Sequence, residues 1–154
     1  MRWWLTHERV GNEATRIARR TKASADGRGT PVKQALLVED HALFRETLAV
    51  MLEEHTDLEK TVQAGSLPEA RRIWGQTTGE VDLVVVDLDL PNGEGISLID
   101  NLRAAEPDVP VLALTNARNL EVRAWALRAG ADEVLSTASS AEKIVGVVQR
   151  LVGG

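Results

Sequence analysis

The sequence contains no cysteine. That absence excludes disulfides, thiolate metal sites and cysteine nucleophiles, and it suits a reducing compartment. Aromatic side chains are almost missing too, with no tyrosine, one phenylalanine and four tryptophans. Any core must therefore be aliphatic, built from Leu, Val, Ile and Ala. Long apolar runs are also absent. The runs present, such as Leu83 to Val86 and Val111 to Leu114, fall far short of the roughly 18 residues that span a bilayer. Arg19-Arg20 is followed by the polar stretch Thr21 to Lys33, so no apolar segment makes it an export signal. The expectation is a cytoplasmic protein with no membrane contact.

What is present is 154 residues, 44% hydrophobic and 27% charged, the balance of one globular domain. The charge is unevenly divided. Residues 1–34 carry eight Lys/Arg against three Asp/Glu, a net of +5, and residues 35–154 carry ten against twenty, a net of −10. Lys22 to Pro31 has the Ser/Gly/Ala/Pro composition of a connector. Residues 1–33 thus read as a basic, flexible extension, with a short helix possible over Asn12 to Arg20 and a small cluster of Trp3, Trp4 and Leu5. Such an arm either contacts an acidic partner, nucleic acid or the acidic body, or is a plain leader too short to bury much surface.

From residue 34 the chain alternates between short apolar runs and amphipathic segments. Strands are expected at Ala35–Val38, Leu58–Ala64, Val81–Val86, Val109–Leu114 and Val134–Leu135. Helices are expected from Leu43, from a capping box at Ser66 to Glu69 through Trp74 with Gly75 beyond, from Ile96 to Ala105, up to Arg128, and from about Ser139 to Val152. Five βα units with continuously apolar strands imply an α/β fold, a doubly wound parallel sheet covered on both faces. In such sheets functional groups gather beyond the carboxyl ends of the strands.

Three carboxylates fall there: Glu39 and Asp40 after the first strand, and Asp87 after the third. Clustered carboxylates repel unless a cation neutralises them, and a hard divalent ion such as Mg²⁺ takes oxygen ligands. Taken singly, each acid is equally well a polar strand end. Thr115, closing the fourth strand, is either a hydroxyl donor to a phosphoryl oxygen or a routine strand-ending residue.

These residues match a known family. Leu36 to Glu46 (LLVEDHALFRE) resembles the opening of response-regulator receiver domains, closest to the receivers of helix-turn-helix (LuxR/FixJ-type) regulators. Val84 to Gly95 (VVVDLDLPNGEG) resembles the family's phosphorylation segment, with Pro91 and Gly95 four and eight residues after Asp87. Leu114-Thr115 is similar to its switch position, and Ala129-Gly130-Ala131-Asp132 to the turn into its last strand. The resemblance covers residues 34–152 and implies a flavodoxin-like sheet of order 2-1-3-4-5 with five helices. It implies that Asp87 accepts a phosphoryl group from a sensor histidine kinase. Glu39, Asp40, Asp87 and the backbone carbonyl of Asp89 would hold Mg²⁺, and Thr115 would contact the phosphoryl group and shift on activation. The receiver would not be an enzyme in the ordinary sense, though it can assist its own phosphorylation and dephosphorylation. It also implies a homodimer whose output is coupled to transcription, with DNA contact only through a domain that this chain does not contain.

Two positions depart from the family. Counting from Gly130, the family's Lys falls on Thr137 and its switch aromatic on Val134. Lys143 lies in the last helix and is a poor substitute; Arg118, after Thr115, is either a partial replacement or an exposed loop residue. An atypical, phosphate-independent receiver that works by dimerisation or by ligand or partner binding is therefore the alternative. Trp125 serves it as an outward anchor, or else belongs to the core. A third reading starts from Asp87-Leu88-Asp89, which is similar to the nucleophile motif of haloacid-dehalogenase-type phosphatases. That family asks for a small residue, Thr or Val where Pro91 stands and for a downstream Lys, and none lies between Lys60 and Lys143.

Overall fold

A computed structural model describes residues 32–153, apart from 78, 117 and 119. The expected helix and tryptophan cluster of the basic extension lie outside the described residues. Five strands, β1 (Gln34–Val38), β2 (Lys60–Ala64), β3 (Leu83–Asp87), β4 (Val111–Thr115) and β5 (Glu133–Ser136), form one sheet. All neighbours are parallel and the order is β2-β1-β3-β4-β5. The helices are α1 (Ala42–His55), α2 (Leu67–Gln76), α3 (Glu94–Ala105), α4 (Leu120–Ala129) and α5 (Ala141–Gly153). This is the doubly wound order expected from the resemblance.

β1, β3 and β4 are buried along their whole length, because each side of the sheet is covered. Alternate residues serve two aliphatic cores. Leu36, Val38, Val84, Val86, Val111 and Ala113 face the core under α2 and α3. Ala35, Leu37, Leu83, Val85, Leu112 and Leu114 face that under α1 and α5. Burial of a Leu or Val side chain contributes about 1.5–3 kcal/mol, and the scarcity of aromatics is made good by number.

Element ends differ from the sequence expectation for identifiable reasons. β3 begins at Leu83 rather than Val81, because the Asp82 carboxylate accepts the Gln34 N–H (3.0 Å) at the point of entry. β4 begins after Pro110, which has no N–H for the ladder, and it extends to include Thr115. Gly75 lies inside α2, since Thr77 ends that helix by donating its N–H and hydroxyl to the Ile73 carbonyl (3.0 and 2.8 Å). Half of the capping box is present as expected, with Ser66 Oγ accepting the Glu69 N–H (3.3 Å), while Glu69 accepts the N–H of Gly65, one residue before the cap (3.2 Å).

The turn before β5 is locked by charge. Arg103 on α3 donates to the carbonyls of Gly130 (2.8 Å) and Val109 (2.6 Å) and pairs with Asp132 at 2.9 Å, both side chains being largely buried. Gly130 has φ +122, and a Cβ there would stand 2.5 Å from the Arg103 side chain. Only glycine satisfies both conditions.

Candidate functional site

A parallel sheet puts every strand's carboxyl end on one edge, and register decides which residues meet there. Val38 pairs with Val86, Asp87 with Leu114, and Thr115 with Ser136. Three further backbone bonds extend the ladder past the strand ends: Glu39 to Ala64 (3.0 Å), Leu88 to Leu114 (2.8 Å) and Thr137 to Thr115 (3.0 Å). Glu39, Asp87, Thr115 and Thr137 are thereby fixed by main-chain bonding along the same rim.

Glu39 and Asp87 are buried, while Asp40 is partly open to solvent. Arg45 on α1 holds the Glu39 carbonyl (2.8 Å) and the Gln63 side chain (3.1 Å), fixing the end of β1 from above. Beneath Asp87, α3 approaches so closely that a Cβ on Gly95 would lie 2.5 Å from the Asp87 carbonyl oxygen. That contact explains the glycine eight residues after the acid. The chain reaches it through a 3-10 turn at Pro91–Gly93, where Asn92 (φ 58) and Gly93 (φ 68) take left-handed conformations.

Glu39, Asp40, Asp87 and His41 each offer one ligand atom, all within 4.8 Å of one another. Burial pushes the Asp87 carboxyl up to about 7 from 3.8; the Asp89 N–H (2.8 Å) opposes this, and the Glu39 and Asp89 charges reinforce it. Two buried like charges facing each other are the condition a divalent cation relieves, so the oxygen-rich donor set fits such an ion. Sequence reasoning missed His41. It stands at the N-cap of α1, with Nδ1 3.0 Å from Glu39 Oε1 and 3.3 Å from Asp40 Oδ1. The Glu39 hydrogen bond, then the Asp40 charge, hold its imidazole above the ordinary 6.5. Its only signal in the sequence was adjacency to the acid pair.

A second omission concerns Asp89, read from the sequence only as a carbonyl donor. Its carboxylate accepts the Thr115 hydroxyl (2.9 Å) and the Asn116 N–H (2.7 Å). Thr137 is half-buried at the edge of a cleft of about 390 Å³ that Arg118 and Arg123 also line. Arg118 is exposed, and Arg123 donates to the Val134 carbonyl at 3.1 Å. Val134 is buried. Trp125 is half exposed on α4, which settles the choice between outer face and core in favour of the outer face. No helix among the described residues is long and apolar enough to cross a membrane.

Residues 35–149 match the response regulator receiver domain family. The chain is 30% identical over 120 residues to the virulence transcriptional regulatory protein PhoP of Salmonella typhimurium, covering 77% of this chain and 51% of that one. It spans about half the length of the curated relatives it matches. Among solved structures, a Burkholderia pseudomallei response regulator carrying a phosphorylated aspartic acid, calcium and citrate is 30% identical with a TM-score of 0.67, over 79% of this chain and 69% of that one. A LuxR-family two-component response regulator from Aurantimonas is 27% identical with a TM-score of 0.71, over 80% and 86%. The chain belongs to the receiver-domain family of two-component response regulators, a family of signalling domains served by histidine kinases.

Proposed function

We propose that Asp87 is the phosphoacceptor of this receiver, and that a sensor histidine kinase is the donor. The observation that carries this is the placement of a buried aspartate at the end of the central strand, among Glu39, Asp40 and the strand bearing Thr115. The phosphorylated aspartate and the calcium ion of the Burkholderia relative support the same reading. An Asp87 carboxylate oxygen forms the new P–O bond as the donor's P–N bond breaks. The leaving imidazole keeps that electron pair and takes a proton from solvent.

Glu39, Asp40, Asp87 and the backbone carbonyl of Asp89 are the residues that would hold Mg²⁺. When bound, Mg²⁺ offsets the charge of the carboxylates and of the equatorial phosphoryl oxygens. The Thr115 hydroxyl contacts the phosphoryl group. At Thr137 the family's ammonium is replaced by a neutral hydroxyl, and at Val134 a short aliphatic side chain replaces the rotating aromatic, so conventional switching is weakened while acceptance is retained. Output passes through homodimerisation or an effector, with DNA contact belonging to a separate domain. The acidic body itself would be repelled by phosphate backbones.

The test is intact mass after incubation with acetyl phosphate and Mg²⁺, with Asp87→Asn alongside. A labile gain of one phosphoryl group in the wild type alone is expected. Labelling of the variant would overturn the assignment.

A further inference from the structure

Asp89 is exposed and stands two residues past Asp87, yet its carboxylate reaches across to β4. There it accepts two hydrogen bonds, from the Thr115 hydroxyl at 2.9 Å and from the Asn116 N–H at 2.7 Å. Its own N–H donates to Asp87 Oδ1 at 2.8 Å, so the same residue touches both the acceptor carboxylate and the neighbouring donors. Thr115 is 1% exposed. Two donors at the end of the strand beside β3 are therefore already engaged by an anion. Charge-assisted bonds of this length are the strong kind.

We infer that Asp89 is a positioning residue that acts as a resident anion, occupying the Thr115 hydroxyl that a phosphoryl group on Asp87 would use and the Asn116 N–H beside it. Phosphorylation must then displace the Asp89 carboxylate. This rests on the receiver reading of Asp87. The displacement is physically open, because the side chain is exposed and can turn into water. It is also required, because a phosphoryl group and a carboxylate cannot share the one Thr115 hydroxyl proton without like-charge repulsion. Thr137 sharpens the competition: that position offers a hydroxyl and no ammonium, so no lysine charge at this side of the rim draws the phosphoryl group away from the donors Asp89 holds. The Thr115 hydroxyl is consequently held toward β3 before any phosphate arrives.

The test uses the full chain with MgCl₂ and beryllofluoride, a tetrahedral phosphoryl mimic that binds a carboxylate. Its affinity is measured by amide NMR titration for wild type, Asp89→Asn, Asp89→Ala and Asp87→Asn. Both Asp89 variants are expected to bind about tenfold more tightly than wild type, the order of one removed like-charge contact. The Asn116 amide resonance should shift in both before any beryllofluoride is added. A merely structural role would lower stability and affinity together, and would not raise affinity. If the wild type binds and the Asp89 variants bind no better, the resident-anion inference falls while the receiver reading stands. If all four proteins fail to bind, the receiver reading falls and this inference falls with it.

Discussion

The two halves of the sheet's carboxyl rim are built to different standards. On the β1–β3 side, Glu39, Asp40 and Asp87 converge, Arg45 fixes one strand end, and Gly95 lets α3 pack directly beneath the other. On the β4–β5 side, Thr115 closes its strand and Thr137 bonds to it, and on the reading proposed above Thr137 takes the place of the family's lysine and Val134 that of its aromatic. The first half gathers negative charge and needs a cation. The second half, on that reading, has a hydroxyl in place of a cation, and the Thr115 hydroxyl is held by the Asp89 carboxylate. The proposed reading makes accepting a phosphoryl group and responding to it separable, with the parts for the first more complete at this rim than those for the second.

The contrast can be broken most decisively at Asp87. Asp87→Asn should abolish phosphoryl uptake by intact mass, and it should also change the pH dependence of stability. The wild-type carboxyl has a folded value of about 7, above its unfolded value near 3.8. Its stabilising contribution is complete below the unfolded value and is lost as pH rises through about 7. In metal-free buffer at pH 8 the Asn variant should therefore be the more stable, by on the order of 2 kcal/mol after allowance for relaxation. Urea denaturation at pH 5 and pH 8 checks this: a gap that fails to widen toward pH 8 would count against the buried, uncompensated charge.

Gly95→Ala attacks the same half from below. The added methyl would lie 2.5 Å from the Asp87 carbonyl oxygen and 3.0 Å from Leu88 Cα, both backbone atoms that cannot easily yield. A loss of about 2–3 kcal/mol is expected in urea unfolding, together with weaker Mg²⁺ binding by calorimetry. Thr137→Lys works on the other half, returning an ammonium beside Thr115. The shift of the Asn116 amide resonance on phosphorylation should grow while the phosphorylated fraction under acetyl phosphate stays similar; an unchanged response would mean that the family's lysine position is wrongly placed on Thr137. Ser66→Ala, on the far side of β2, removes an N-cap and should cost about 1 kcal/mol without altering Mg²⁺ affinity. It separates general destabilisation from damage to the rim.

Much of this was legible in the linear chain. Continuous apolar runs such as Leu83 to Val86 marked buried parallel strands, and the acids following them marked the rim. Element boundaries were less legible where a side chain or an imino acid intervened, as at Asp82, Pro110 and Thr77. Local periodicity cannot show a side chain taking over a backbone bond. The Asp89 carboxylate escaped for a related reason, since only the folded rim brings it to Thr115, 26 positions away. His41 escaped although its partners Glu39 and Asp40 are its sequence neighbours, because adjacency does not show that the ring turns back onto them.

The sequence by itself determined the alternation of apolar runs with amphipathic helices, the residues available at each strand end, and the absence of a lysine at position 137. These are consequences of residue type and order, which hydrophobic periodicity and chain connectivity convert into a parallel sheet. The tertiary structure alone decided that His41 joins the acids, that Trp125 faces outward, and that the Thr115 hydroxyl is already engaged. Those outcomes depend on strand register and turn geometry, where a shift of one residue or one backbone angle redirects a side chain, and nothing in the order of residues specifies that direction locally.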